Sequence, residues 1–362
     1  ALVLDGHDSK EYENIEIFRL DNIPKESQLP EEVVNKYCYI YFTSGSTGKP
    51  KAILGRHRSL KHFVDWEIEE FGIDEDFNIS QLVTPSFDAI LRDLFVPLCA
   101  GGTICIPSSK EVVVNPEALI EWIEEKEINL MHMVPTLFKA LMSEVDDPES
   151  FKELKYILLA GEMLRGSDIK NFFELFGQRV QLINLYGTTE TTLVKLFYRV
   201  QESDVNRVSV PVGRPMSGAQ AMILDEDMQS CGVESIGEVY IRTPFISAGY
   251  YKNKEATREV FLKNPFTDNP RDVIYKTGDL GRMLSDGNIE ILGRRDNQVK
   301  LRGVRIELGE IENQLLQFNK LKEAVAVALE EDDTKYLSAY AVAKGDKPKE
   351  EELRQFLQER LP

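Results

Sequence analysis

An α/β layered sheet is the fold class this chain predicts, and three observations carry it. Between residue 39 and about residue 192, strand-like apolar runs such as 129–134 and 156–159 alternate with helix-like stretches such as 116–125 and 136–144. From about residue 209 to 293 the pattern changes to short β-rich runs, 221–224, 237–241 and 287–292 among them, punctuated by Gly, Pro, Asn and Asp. A small β-barrel or sandwich is expected there. The charged stretch Arg294, Arg295, Asp296, Asn297 then breaks the apolar periodicity, and a shorter α/β segment follows. Its helix-like runs are 307–318 and 349–360, and its strand-like runs are 324–329 and 336–342. The expected divisions are an α/β core over 1–208, a β-rich unit over 209–295 and a partial α+β unit over 296–362.

Composition narrows the function. The 362 residues suffice for two or three domains with a large core, and a hydrophobic content of 42% is ordinary. Acidic residues outnumber basic ones by 61 to 43, a formal charge of -18. That balance argues against nonspecific binding to DNA, RNA or an anionic membrane, because phosphate backbones demand a basic surface. Any phosphate binding must be local. Cys38, Cys99, Cys105 and Cys231 are widely spaced without a CxxC pair, so neither a zinc site nor a disulfide framework is expected, and a reducing cytoplasm fits. No apolar stretch approaches the roughly 20 residues of a membrane helix, and the first residues lack the basic and apolar regions expected of a signal peptide. A soluble protein is expected, and the abrupt apolar start at residues 1–4 is expected of a fragment.

The run Tyr41-Phe-Thr-Ser-Gly-Ser-Thr-Gly-Lys-Pro-Lys51 packs hydroxyls, glycines and lysines into a phosphate-sized loop. Gly45 and Gly48 permit tight backbone paths, and exposed amides with the hydroxyls of Thr43, Ser44, Ser46 and Thr47 can surround phosphate oxygens. Lys49 and Lys51 add positive charge. Residues 39–42 read as a buried strand that delivers this loop to one end of a sheet. Only Ser46 and Thr47 separate the two glycines and Pro50 follows Lys49, so this is not a Walker A loop. Taken alone, such a run is equally a surface turn.

Two further segments fit the activation of a carboxylate with ATP. In Asn184-Leu-Tyr-Gly-Thr-Thr-Glu190, Tyr186 can stack on a base, Thr189 can bond phosphate, and Glu190 can hold magnesium against the phosphates. In Tyr275-Lys-Thr-Gly-Asp-Leu280, Asp279 is suited to accept bonds from both ribose hydroxyls. Each segment alone is also an ordinary turn.

Taken in order, these segments closely resemble the adenylation domains of nonribosomal peptide synthetases, within the adenylate-forming superfamily that includes acyl-CoA synthetases and luciferases. The resemblance extends to Phe87-Asp-Ala-Ile-Leu-Arg-Asp93, to residues 237–241 with 247–251, and to Gly293-Arg-Arg-Asp-Asn-Gln-Val-Lys-Leu-Arg-Gly303 leading into 305–312. It runs nearly end to end. It implies the adenylate-forming enzyme fold, with a hinge at Asp296 about which a small mobile C-terminal portion rotates. The activity implied is attack of an amino acid carboxylate on the α-phosphate of ATP, with magnesium, followed by transfer to the phosphopantetheine thiol of a peptidyl carrier domain. That carrier and a condensation domain are the partners implied. Thr43, Ser44, Thr47 and Lys51 would cradle pyrophosphate, with Gly45, Ser46 and Gly48 in the same loop. Gly161, Tyr186, Asp279 and Arg294 would hold adenosine, with Thr189 and Glu190 near magnesium and the α-phosphate.

The same resemblance assigns Asp88 to the α-ammonium of an amino acid. It assigns Ala89, Arg92, His132, Leu158, Ala160, Leu185, Leu193 and Val194 to the rest of the substrate pocket. Most of that wall is apolar, but an Arg facing a pocket demands a partner, and a carboxylate is its best planar match. An acidic, aspartate- or glutamate-like substrate is therefore expected. The alternative is that Arg92 pairs internally with Asp93 or Asp65 and points away.

Some positions depart from the pattern. The family carries a longer segment before its phosphate loop, whereas 42 residues precede Thr43 here, and no residue fills the role of the family's late catalytic lysine. Ala52 stands where Gly is usual, and Thr188 where Pro is usual. An acyl-CoA ligase and a catalytically silent scaffold are the other readings, with Asp88 against the first and the intact Glu190, Asp279 and Arg294 against the second. His7, His57 and His62 lack metal-ligand spacing. Trp66 and Trp122 read as packing residues on amphipathic helices.

Overall fold

The strand-like runs of the first half assemble into one seven-stranded sheet in the computed structural model, which describes residues 2–3, 17–18, 36–43, 50–295, 298–301, 304–331, 334–345, 347–358 and 360–361. Residues 1–35 and 36–362 form two units. The described part of the first is a parallel pair of short strands, Leu2–Val3 and Ile17–Phe18. The rest of the fold belongs to the second.

Across the sheet the order is Arg214–Pro215, Val194–Arg199, Gln181–Gly187, Tyr156–Ala160, Leu130–Met133, Asn78–Ser80 and Thr103–Cys105. The last five run parallel, and the first two are added antiparallel at one edge. Parallel neighbours need crossovers, and the helices Ile90–Ala100, Pro116–Glu125, Pro135–Glu144 and Lys170–Phe176 supply them. The expected helix at 116–125 starts where its sequence says, with Pro116 in the first turn and the Asn115 side chain accepting from the Ala118 N–H at 3.2 Å.

Helices cover both faces, so successive strand residues enter different cores. Met131, Met133, Ile157, Leu159 and Leu182 join one cluster with Phe138 and Phe172, while Leu130, Leu158, Ile183 and Leu185 join another with Phe63 and Val96. This alternation later decides which side chains meet in the site. Trp66 and Trp122 are buried packing residues, as expected.

Residues 39–42 do lie in a strand, Tyr37–Thr43, but the expectation that it is buried is corrected. Among the described residues it pairs only with Lys51–Arg56 in a two-stranded hairpin, with Tyr39 and Tyr41 packed on a core cluster while Ile40 and Phe42 are exposed. A hairpin outside the main sheet has one covered face, and period-two alternation leaves every second side chain in the open.

The β-rich stretch forms a five-stranded antiparallel sheet of Gln220–Leu224, Gly237–Arg242, Val273–Met283 and Phe261–Lys263, with Ile289–Arg294 also paired to Val273–Met283. That last strand starts after Gly287, whose φ of 80° belongs to the preceding turn. Beyond it come the hairpin Gln298–Leu301 with Val304–Glu307, helix Leu308–Leu316, the hairpin Leu321–Glu331 with Thr334–Ala343, and helix Glu350–Gln358. This is the α+β arrangement expected of the final segment. The boundary residue Asp296 lies outside the described residues.

Candidate active site

In open parallel sheets, ligands bind where the strands end, and here strand ends Ala160 and Gly187 lead directly into the site. Gly187 is required by crowding, because a Cβ there would sit 2.0 Å from the Leu193 carbonyl oxygen. The close approach lets the segment after it fold back as the short helix Thr189–Thr191. Thr188 replaces the family's proline with its own device. Its N–H donates to Thr191 Oγ1 at 3.2 Å, and its φ of -133° is one proline cannot adopt. Thr192 and Leu193 then take φ of 64° and 59°, a strained pair for residues with side chains.

Glu190 projects from that helix and is fully buried. Its Oε1 accepts from the Tyr250 hydroxyl at 2.9 Å, and its carbonyl accepts from the Ser247 N–H at 3.1 Å. Lys51 Nζ lies 5.3 Å from the centre of the Tyr250 ring, which links the hairpin to the acid. Thr43 and Lys51 face each other across the mouth of that hairpin. The loop residues between them, Ser44, Gly45, Ser46, Thr47, Gly48 and Lys49, lie outside the described residues.

Asp88, just before helix Ile90–Ala100, joins the same centre. Burial, with Glu190 adding to it, pushes its carboxyl up to about 6 against the opposing pull of a Thr189 hydrogen bond and of Arg92. Asp88, Thr189 and Glu190 are thus one electrostatic unit.

On the other side of the cleft, strand register sets Asp279 opposite Arg294. Arg294 Nη1 donates to Asp279 Oδ1 at 2.9 Å, and the Tyr186 hydroxyl donates to Oδ2. Each carboxylate oxygen keeps a lone pair for a further donor. Tyr186 itself is buried among Leu196, Ile223 and Ile289. Gly161, with φ of 95°, precedes Glu162, which accepts from Thr136 N and Oγ1 at 2.9 and 2.6 Å.

The expected substrate wall converges as the strand alternation dictates. Leu158, Leu185, Leu193 and Val194 are buried in one cluster, with Ala160 packed against it, and Ala89 precedes the helix that carries Arg92. His132 lies on the same face, since its neighbours Met131 and Met133 point to the opposite core. Behind the wall sits a network that sequence reading only half saw. His132 Nε2 is 2.9 Å from Glu67 and Nδ1 is 3.1 Å from Asp93, while Arg92 Nε is 3.5 Å from Asp93, all four side chains being buried. Burial would lower the His132 pKa, but the Glu67 and Asp93 carboxylates outweigh it and raise it. Of the two internal partners weighed for Arg92, Asp93 is the one found; Asp65 instead pairs with Lys61. Among the described residues, the buried Arg92 Nε has no hydrogen-bond partner, its approach to Asp93 at 3.5 Å being an ion pair only. Glu67 was missed, although its spacing with Leu60, Phe63, Val64 and Phe71 puts it on the buried stripe of helix His57–Phe71.

Lys195 was also missed. It is fully buried, and its ammonium donates to the Thr192 and Val194 carbonyls at 2.8 and 2.9 Å, bracketing the strained pair. Burial lowers its pKa to about 7. A lysine depressed on folding is proton-poor in the native state, so stability rises with pH between about 7 and the ordinary value near 10.4. Thermal melting of wild type should therefore gain stability from pH 7 to 9, and Lys195→Met should lack that component of the slope. Parallel slopes in the two proteins would contradict the assignment.

A magnesium ion fits this chemistry in a limited way. Among the described residues no three His, Cys, Asp or Glu side chains form a metal cage, and one or two carboxylates plus substrate phosphates is the usual magnesium shell. Buried Glu190 offers such an oxygen ligand.

A family profile described as AMP-binding enzyme matches residues 2–251. The chain belongs to the AMP-binding enzyme family. Its relatives are of the kind its motifs resemble. It is 35% identical over 335 residues to tyrocidine synthase 3 of Brevibacillus parabrevis, covering 92% of this chain and 5% of that protein. It is also 35% identical over 356 residues to bacitracin synthase 1 of Bacillus licheniformis, covering 97% and 6%. The chain therefore spans a small part of these relatives. Among solved structures it matches an artificially fused adenylation-PCP di-domain of Klebsiella oxytoca with TM-score 0.81 at 23% identity, over 96% of this chain and 68% of that one. The Vibrio cholerae adenylation domain AlmE, solved with glycyl-adenosine-5'-phosphate, matches with TM-score 0.81 at 24% identity, over 91% and 62%. The adenylate-forming fold expected from the motifs is the fold observed. No helix among the described residues is long and apolar enough to cross a membrane.

Proposed function

We propose that this AMP-binding domain activates an amino acid with ATP and hands it to a carrier-domain phosphopantetheine thiol in nonribosomal peptide synthesis. The observation that carries the reading is that Asp88, Thr189 and Glu190 interact just beyond the strand that carries Tyr186, whose hydroxyl, with Arg294, holds Asp279. Asp279 accepts from the ribose hydroxyls, held in place by Tyr186 and Arg294. Asp88 pairs with the substrate ammonium, which fixes the carboxylate near Thr189. Lys51, with Thr43 and the loop that joins them, grips the pyrophosphate end.

In the first step a carboxylate oxygen attacks the α-phosphorus, the bond to the bridging oxygen breaks, and pyrophosphate leaves with its electrons. In the second, a thiolate attacks the acyl carbon and AMP departs. Bound magnesium would neutralise phosphate charge against Glu190. Positioning and charge complementarity supply most of the catalysis in such transfers.

The substrate side chain is proposed to be acidic. Arg92, in the buried network with Glu67, Asp93 and His132, is close enough to Asp88 to act on its carboxyl, and a substrate carboxylate would be the planar partner of its guanidinium. Pyrophosphate exchange across an amino acid panel should run fastest with aspartate or glutamate. Arg92→Leu should cut kcat/KM for those two by about 100-fold, the usual effect of removing one partner of a buried charge pair, while leaving exchange with apolar amino acids unchanged or raised. Faster exchange with leucine or phenylalanine in wild type would contradict the acidic assignment.

A further inference from the structure

On the β-rich side of the molecule lies a cavity of about 770 Å³ whose walls include Arg56, Arg58, Arg242 and Arg271, with Thr243 and Phe261. Its lining includes Ser247, which backs Glu190, but its arginines lie away from the phosphate loop. Lys51 and Arg56 stand at opposite ends of one strand, about 16 Å apart at the usual strand rise. Asp272 pairs with Arg242 at 2.8 Å, and Gln220 takes another of its nitrogens. The other three arginines meet no carboxylate within ion-pair distance among the described residues, in a chain whose formal charge is -18. Arg56 Nε is buried and has no acceptor among the described residues, and Arg58 is close enough to depress the Arg56 guanidinium further after burial has done so. Uncompensated like charges around a cavity, with a buried donor left open, mark the place of an absent anion. The helix that begins between these arginines, His57–Phe71, adds to the field. It has no side-chain cap and no acidic residue in its first turn.

We propose that this cavity is a second ligand site, for a small phosphate-bearing molecule. Arginines reaching in from separate segments suit a tetrahedral oxyanion, whose several oxygens take donors from many directions, better than a carboxylate, which one planar fork saturates. The volume admits an organic body, with Phe261, Pro244 and Ile246 as apolar wall.

Isothermal titration calorimetry with inorganic tripolyphosphate tests this in the whole protein carrying Lys51→Met, which removes the phosphate contact of the adenylate cleft. One saturable equivalent should bind, more weakly at higher salt. Arg271→Gln, at an exposed position, should weaken binding about tenfold, as the loss of one charge-assisted bond does, and Arg56→Gln should weaken it by at least as much. Pyrophosphate exchange should be unchanged in Arg271→Gln. Absence of saturable binding at millimolar probe overturns the site, as does equal binding with and without Arg271→Gln. Citrate binding as tightly as tripolyphosphate overturns the phosphate assignment.

Discussion

Glu190→Gln lowers the rate of amino-acid-dependent pyrophosphate exchange by about 100- to 1,000-fold, the range found when one preorganised electrostatic group is removed from an active site. The substitution keeps the shape of the side chain and its acceptor for the Tyr250 hydroxyl, so the short helix Thr189–Thr191 should stay folded. What it removes is the charge. Melting temperature near that of wild type, together with exchange depressed at every amino acid concentration, is the expected pair of results. Exchange within a few-fold of wild type would show that Glu190 serves the fold rather than the chemistry.

Asp88→Asn should lower kcat/KM for the amino acid by about 100-fold, because an ammonium left without its buried carboxylate loses a charge-assisted partner. The KM for ATP should move little, since Asp88 stands apart from the Tyr186, Asp279 and Arg294 group. A pH profile makes the assignment specific. With its pKa raised to about 6, Asp88 binds ammonium only above that pH, so wild-type kcat/KM should fall about tenfold per unit below pH 6 and level off above it. Asp88→Asn should remove that limb. The sign for stability is opposite. The native state holds the Asp88 proton between about 4 and 6, so this group costs stability as pH rises through that window. A flat wild-type profile from pH 5 to 7 would contradict the role given to Asp88.

How much of this was legible in the sequence depends on what each residue answers to. Elements with strong local signals came through: Pro116 with Asn115 started a helix, and the alternating core placed Leu158, Ala160 and Leu185 on one face. Motif residues on paired strands also came together, because Asp279 and Arg294 need only their register to meet. The burial of residues 39–42 was misread because an apolar run does not reveal how many neighbours its strand will have. Glu67 and Lys195 escaped for a different reason. Both are charged residues in positions whose periodicity is apolar, and their partners come from other segments or from a strained turn that composition does not announce. Glu67 left a trace, since it falls on the buried stripe of its helix. Lys195 left none that spacing could read. It sits between Val194 of the substrate-side cluster and Leu196 of the cluster around Tyr186, on a strand that is buried along its first half.

The placement of Arg92 shows how the two kinds of information combine. Sequence offered a choice between a pocket-facing guanidinium and an internal ion pair. The structure gives the internal contact, with Arg92 Nε 3.5 Å from Asp93, and acid recognition by the guanidinium stays a proposal for exchange assays to test.

The reaction is tested most directly by its products. Protein incubated with ATP, magnesium, aspartate and hydroxylamine should form aspartyl hydroxamate, with one AMP and one pyrophosphate released per hydroxamate, and none of the three without the amino acid. Release of ADP and phosphate instead, or ATP binding with no amino-acid-dependent AMP, would contradict carboxylate adenylation in this cleft.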